Sequence, residues 1–243
     1  MRPARQRGRR APLKAHAVKL ASYNIHGGVG RDGRCVPRRI VQVLQEMDAD
    51  IVALQEVESS ISGFDMLGYL QHETGLQAVS GPTLLRPVAE YGNGLLTRYP
   101  IASIRRIDLS VAGHEPRGAL DVELAAAGLA LRVVATHLGL RPAERREQIQ
   151  QLLLAFESDP PLTSVLMGDI NEWFLWGRPL RWLHRHFEAT PARATFPAWC
   201  PLFALDRIWA QPRSCLQSFA VHATPLARIA SDHLPATAEL NWQ

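Results

Sequence analysis

A 243-residue chain that is 47% apolar and 21% charged can bury one large core or two small ones, which excludes a low-complexity or disordered protein. Its formal charge of +4 is unevenly placed: Arg2, Arg5, Arg7, Arg9, Arg10, Lys14 and Lys19 meet no acid in residues 1–19, and the rest carries 20 basic against 23 acidic residues, about −3. A net-acidic body argues against a long nucleic-acid footprint though not against a local basic cleft, no window approaches 18 uninterrupted apolar residues, and Cys35, Cys200 and Cys215 lack metal-site spacing.

Residues 1–17 read as a basic, disordered extension, able to steer the protein toward a polyanion or an anionic membrane surface, and residues 18–243 as one domain. Free thiols and the lack of an apolar leader segment point to the cytoplasm. Twenty-five of the 27 basic residues are arginine, so an arbitrary arginine says little about anion binding.

Val18 to Tyr23 reads as the first strand, ending in Asn24-Ile25-His26 before a glycine cluster that carries neither a dinucleotide fingerprint nor a phosphate-loop ending. A helix from Pro37 or Arg38 through Met47 follows from the spacing of Ile40, Val41, Leu44 and Met47. Ile51 to Leu54 then forms a second strand running into Gln55-Glu56. This unit brings Asn24 and Glu56 to corresponding ends of neighbouring strands. Between Gly75 and Leu109 the pattern breaks into the runs Leu76 to Val79, Thr83 to Leu85, Gly94 to Thr97 and Ile101 to Leu109, with Tyr91-Gly92-Asn93-Gly94 as a turn.

Ala119 to Ala125 and Leu129 to Thr136 form a hairpin whose second arm ends at His137. Pro142 opens a helix with Glu144, Arg145, Arg146 and Glu147 on its polar side and Ile149, Leu152, Leu153 and Phe156 on its packing side. Ser164 to Met167 is a buried strand, after which Gly168 turns the backbone sharply so that Asp169 and Asn171 emerge at a strand end. Segments around Asp206, Cys215 to His222 and Leu234 to Leu240 complete two β-rich halves with helices outside.

Polar residues of complementary kinds gather at these strand ends. Glu56 is a metal carboxylate or a surface acid, and His137 a structural imidazole or a protonated donor to a phosphoryl oxygen. Asp206 pairs structurally with Arg207 or orients His233, while Asp232 faces a metal or water. Trp173, Phe174, Trp176 and Trp199 are expected first as packing between layers, and otherwise as the mouth of a cleft.

Tyr23-Asn24-Ile25-His26-Gly27, Leu54-Gln55-Glu56, Gly92-Asn93-Gly94-Leu95, Thr136-His137-Leu138, Gly168-Asp169-Ile170-Asn171, Leu205-Asp206-Arg207-Ile208 and Ser231-Asp232-His233 stand in an order that resembles the endonuclease/exonuclease/phosphatase superfamily, DNase I-like nucleases among it. The resemblance implies an α/β four-layer sandwich with two central mixed β-sheets. Carried over residue by residue, it implies that Glu56 is the principal metal ligand, with Asn24 and Asp232 near the metal-water shell. Asp169 directs the attacking water, Asn171 and His137 contact the phosphate, Asp206 and His233 form an acid-histidine pair, and Arg117 and Asn93 line the substrate cleft. His26 departs from an acidic residue found at this place in apurinic endonucleases, which puts a second metal contact there in doubt.

The implied function is phosphodiester hydrolysis by direct water attack with Mg²⁺, or Mn²⁺, as cofactor. A nuclease is the first expectation and a phospholipid or small phosphate-ester hydrolase the second, with a noncatalytic phosphate-binding module as the alternative class. The expected partners are a phosphate-ester substrate, nucleic acid and an anionic membrane reached through the basic segment, with no obligate protein partner.

Overall fold

The structure, a computed structural model, describes residues 17–60, 63–85, 89–126, 128–157 and 163–241. The basic segment therefore lies outside the described residues. In chain order the elements are β1 (Val18–Asn24), α1 (Pro37–Met47), β2 (Ile51–Ser60), α2 (Met66–Thr74), β3 (Gln77–Leu85), β4 (Ala89–Thr97), β5 (Ile101–Asp108), β6 (Gly118–Ala126), β7 (Leu129–His137), α3 (Pro142–Glu157), β8 (Thr163–Asp169), α4 (Arg178–Phe187), β9 (Asp206–Gln211), β10 (Leu216–Val221), α5 (Ala227–Ala230) and β11 (Ala236–Leu240).

The strands form two mixed sheets, one ordered β10-β11-β1-β2-β4-β3 and the other β5-β6-β7-β8-β9. Strand alternation explains why they stack. Val18 and Leu20 of β1 face a core shared with Val133, Ala135, Val165 and Met167 of the second sheet, whereas Ala21 and Tyr23 face α1, α2 and α5. On the far side, Val134 and Leu166 pack with Ile149 and Leu152 of α3 and Leu180 and Leu183 of α4. Helices, sheet, sheet, helices is the expected four-layer α/β sandwich. Burial on both faces is why β1, β2, β7 and β8 read as nearly continuous apolar runs.

Topology then collects the polar strand ends. α1 makes β1 and β2 parallel, with Asn24 opposite Gln55, and α3 makes β7 and β8 parallel, with His137 opposite Asp169. β9 runs antiparallel to β8 and places Asp206 opposite Asp169. β11, antiparallel to β1, brings the Ser231-Asp232-His233 segment that precedes it to the Asn24 end. One edge of the sandwich thus receives residues from five strands, at the carboxyl ends of its parallel strands.

Three local readings are corrected. The runs before and after Gly81-Pro82 form one strand, and Tyr91-Gly92-Asn93-Gly94 lies inside β4 rather than in a turn. Its glycine at 92 is needed for close approach, because a Cβ there would stand 2.4 Å from Gly81 O. α2 carries Gly68 and only a weak apolar stripe, and gave no periodic signal. Gly168 does not turn the chain: it pairs with Thr136 inside β8, and the turn falls at Asn171, at φ 52°.

A Cβ on Gly168 would lie 1.9 Å from Thr136 O, a backbone atom that cannot move without opening the β7–β8 ladder. Gly168→Ala is expected to lower stability by about 3 kcal/mol or more and to reduce the soluble yield. Urea unfolding checks this, and an unchanged midpoint would contradict the packing at this strand end.

Candidate active site

Glu56 reaches the site through a break in strand pairing. Leu54 and Val57 of β2 pair with Gly94 and Gly92 of β4, so Gln55-Glu56 bulges out, with Glu56 at φ 56°. His26 at φ 47° and Asn171 at φ 52° are also left-handed, so three of the five described non-glycine residues with positive φ belong to this site. Such conformations cost on the order of 1 kcal/mol or more each and hold only where packing fixes them.

Asn24 joins the two sheets. Its amide nitrogen donates to Glu56 Oε1 at 2.9 Å and to Asp169 Oδ2 at 3.2 Å, and its oxygen accepts from the His26 N–H at 3.1 Å. Asp169 is buried, and Asn171 N donates to its Oδ1 at 2.9 Å. Around Asp169 Oδ2 stand His137 Nε2 at 3.6 Å and His233 Nε2 at 3.7 Å. Burial pushes the Asp169 carboxyl well above the usual carboxylate range, partly opposed by the charge of His233.

The acid-histidine pair is present: His233 Nδ1 lies 2.8 Å from Asp206 Oδ2. Thr195 Oγ donates to the same oxygen at 2.5 Å, and Ser231 Oγ holds the segment by donating to Asn24 O at 2.7 Å. Burial alone would strip the His233 ring of its proton, but the Asp206 and Asp169 carboxylates outweigh it and hold the ring's pKa up at about 10.

His137 behaves oppositely. Burial and the Arg117 guanidinium push its pKa down to about 3, so it is neutral, not the protonated donor that its sequence position suggests. Arg117 Nη1 lies 3.0 Å from His137 Nδ1 and Asn171 Nδ2 lies 3.0 Å from its Nε2, so both ring nitrogens face side-chain donors, with Asp169 Oδ2 3.6 Å from Nε2. Asn171 Nδ2 donates to Leu138 O at 2.9 Å, and Asn93 Nδ2 donates to Gly118 O at 2.9 Å beside Arg117. Asn93 Oδ1 and Arg117 Nε are buried without a protein partner, which leaves polar capacity for a ligand in this wall.

Glu56 and Asp232 form the open side. His26 Nδ1 lies 3.3 Å from Glu56 Oε2 and 3.8 Å from Asp232 Oδ2, between the two carboxylates. Burial would raise the Glu56 carboxyl, but the hydrogen bonds from His26 and Asn24 more than offset it and hold it down at about 2. Two carboxylates that converge on one imidazole suit a hard divalent cation. Asn24 Oδ1, which accepts the His26 N–H, retains a second lone pair for such an ion. Asp169, Asp206 and His233 also bring three metal-capable atoms within 4.8 Å of one another, but an imidazolium has no lone pair to offer.

Four aromatic residues expected as packing do not fill the core. Trp173, Phe174, Trp176 and Trp199 are exposed. Trp173 packs on Phe203 at 4.6 Å and Phe196 at 5.9 Å, and Phe196 lies 4.8 Å from the His233 ring. Trp173 therefore borders the site through Phe196, Trp199 lines a cavity with His26 and Asp232, and Trp176 packs on Phe174 at 5.5 Å.

Several residues that shape the site carry no site role in their sequence pattern. Tyr91 lies beside Glu56, where burial and that carboxylate push its hydroxyl pKa up; its signal was the two-residue spacing from Asn93 on one strand face. Glu144 and Arg145, expected on the polar side of α3, are buried. Arg145 Nη1 donates to Gly139 O at 3.2 Å and Leu140 O at 2.7 Å, and its Nη2 pairs with Glu172 at 3.5 Å. Glu172 in turn accepts from Phe174 N at 3.2 Å, so one buried guanidinium ties the loop after His137 to the loop after Asn171.

Among known proteins, the chain is 31% identical to the uncharacterised protein YbhP of Escherichia coli K12 over 248 residues, covering 93% of this chain and 96% of YbhP. It superimposes on an endonuclease/exonuclease/phosphatase from Bacteroides vulgatus with a TM-score of 0.77 at 18% identity, over 94% of this chain and 100% of the other. For an endonuclease/exonuclease/phosphatase from Beutenbergia cavernae the TM-score is 0.76 at 22% identity, over 93% and 71% of the two chains. These two solved structures share the fold. The model of the Endonuclease/Exonuclease/phosphatase family matches residues 21–233, from β1 to the acid-histidine pair, and the chain belongs to that family.

Proposed function

We propose that the chain is a Mg²⁺-dependent phosphodiesterase that hydrolyses its substrate by direct attack of water, with Mn²⁺ as the alternative ion. The observation that carries this reading is the pairing of opposites at one sheet edge: a buried, weakly acidic Asp169 faces, 3.7 Å away, a His233 ring that Asp206 keeps protonated, and Asn24 links Asp169 to the Glu56 carboxylate.

Glu56 and Asp232 would hold the cation, which when bound supplies charge to the phosphoryl and leaving-group oxygens. Asp169 orients a water and takes its proton, a role that its burial favours by raising its basicity. Asp206 keeps His233 protonated, so the imidazolium offsets charge that grows on the phosphoryl group. Neutral His137, held between Arg117 and Asn171, lies against Asp169 as a contact for the phosphoryl group. None of these steps needs a covalent enzyme intermediate.

The nuclease expectation and the phospholipid one share this chemistry. A binding module does not account for the strained Glu56 and the charged pair deep in the site, since neither is needed for binding alone. The deciding experiment is hydrolysis of bis(p-nitrophenyl) phosphate with Mg²⁺, with Mn²⁺ and after chelation. Turnover is expected to fall by about a thousandfold on chelation and to return with added metal. Turnover that is indifferent to chelation would overturn the reading.

A further inference from the structure

The rim of the site spends apolar surface on water. Leu140 is 63% exposed, Leu175 56%, Trp176 72% and Leu202 68%, with Phe174 and Trp199 similarly open. They lie on three loops at the site's edge. The first follows His137, the second follows Asn171, and the third runs between Phe196 and Phe203, which pair as a β-bridge with Phe196 against His233. Arg145 binds the first two loops together and Trp173 packs the second against the third. The rim is thus fixed by buried contacts, and a fixed exposed apolar border calls for a partner.

The residues choose the partner. Aromatic rings alone would suit stacked bases, but Leu140, Leu175 and Leu202 have no π-face and gain nothing from a base. Exposed arginines stand among them: Arg141 follows Leu140, Arg178 follows Trp176-Gly177, and Arg31 lies over the Trp199 ring at 5.6 Å. Arg141 and Arg178 make no ion pair among the described residues, and the one acid of the second loop, Glu172, is buried against Arg145. Apolar side chains interspersed with unpaired cations match the boundary between acyl chains and anionic headgroups.

We infer that this rim docks on an anionic phospholipid bilayer and presents the site to phosphodiesters at that surface. The docking face stands on the rim alone, whereas its bearing on substrate rests on the phosphodiesterase reading above.

The test is flotation of the full chain with phosphatidylcholine vesicles, with and without phosphatidylglycerol, read by bound fraction and by tryptophan emission. The comparison proteins are Phe174→Ser/Leu175→Ser and Arg141→Gln/Arg178→Gln, exposed changes whose folding is checked by circular dichroism. Association with the anionic vesicles and a blue shift are expected in the wild type. Each double variant should weaken partition by about tenfold or more, with turnover of the soluble diester unchanged.

No association, or association that both variants retain, overturns the inference, the latter assigning the binding to the basic segment. Single-stranded oligonucleotide binding that Phe174→Ser/Leu175→Ser abolishes, without vesicle binding, overturns it in favour of nucleic acid. Rim-dependent vesicle binding by a protein that hydrolyses no diester supports the docking face and removes the phosphodiesterase reading instead.

Discussion

Asp169→Asn is expected to lower kcat for diester hydrolysis by about 10²–10⁴-fold while the protein stays folded and still binds the divalent ion. The amide can keep the hydrogen bond that Asn171 N makes to Oδ1. It cannot take a proton from water. At the Oδ2 position, moreover, an NH₂ would meet the amide nitrogen of Asn24, now 3.2 Å away, donor against donor, so Asn24 must turn. Ion binding measured calorimetrically separates the two effects. A large loss of turnover with little change in ion affinity places Asp169 on the water, and a variant within about tenfold of wild-type kcat would remove it from that role.

Asp206→Asn comes next in size. Oδ2 of Asp206 accepts from both His233 and Thr195, and a correctly oriented amide oxygen can do the same, so the geometry is preserved and the charge is not. The amide nitrogen then occupies the place of Oδ1, which has no protein partner, at a cost of about 1–3 kcal/mol. Without the Asp206 charge, burial dominates His233 and pulls its pKa down from about 10.

The wild-type imidazolium persists through neutral pH, whereas in the variant the charged fraction falls as pH rises through the new, lower value. A kcat loss of about 10²-fold or more is therefore expected at neutral pH, with part of it recovered toward acid. NMR titration of the His233 ring provides an independent reading. An unchanged ring pKa in Asp206→Asn would contradict the assigned pairing, whatever happens to the rate.

Much of this protein is determined locally. The helix spacing of Ile40, Val41, Leu44 and Met47, the two-sided apolar strands and the polar residues that end them were legible because periodicity and turn chemistry act over a few residues. The order of the short motifs identified the family and, with it, the four layers.

What the sequence alone could not carry are the contacts between distant segments. Asn24 meets Asp169 across 145 residues only because the two sheets stack in one register, and Asp206 faces Asp169 only because β9 pairs antiparallel with β8. Charge states follow from those neighbours. His137 and His233 look alike as strand-end histidines, yet the first is buried beside a guanidinium and stays neutral, while the second is buried beside carboxylates and stays charged. Arg145 reads as polar helix surface until Gly139, Leu140 and Glu172 surround it. Trp173, Trp176 and Trp199 read as core material, but the space between the sheets is filled mostly by aliphatic residues and those three rings stand in solvent at the rim. Sequence determined which groups this protein has at its strand ends; tertiary packing decided their partners, and hence their protonation and exposure.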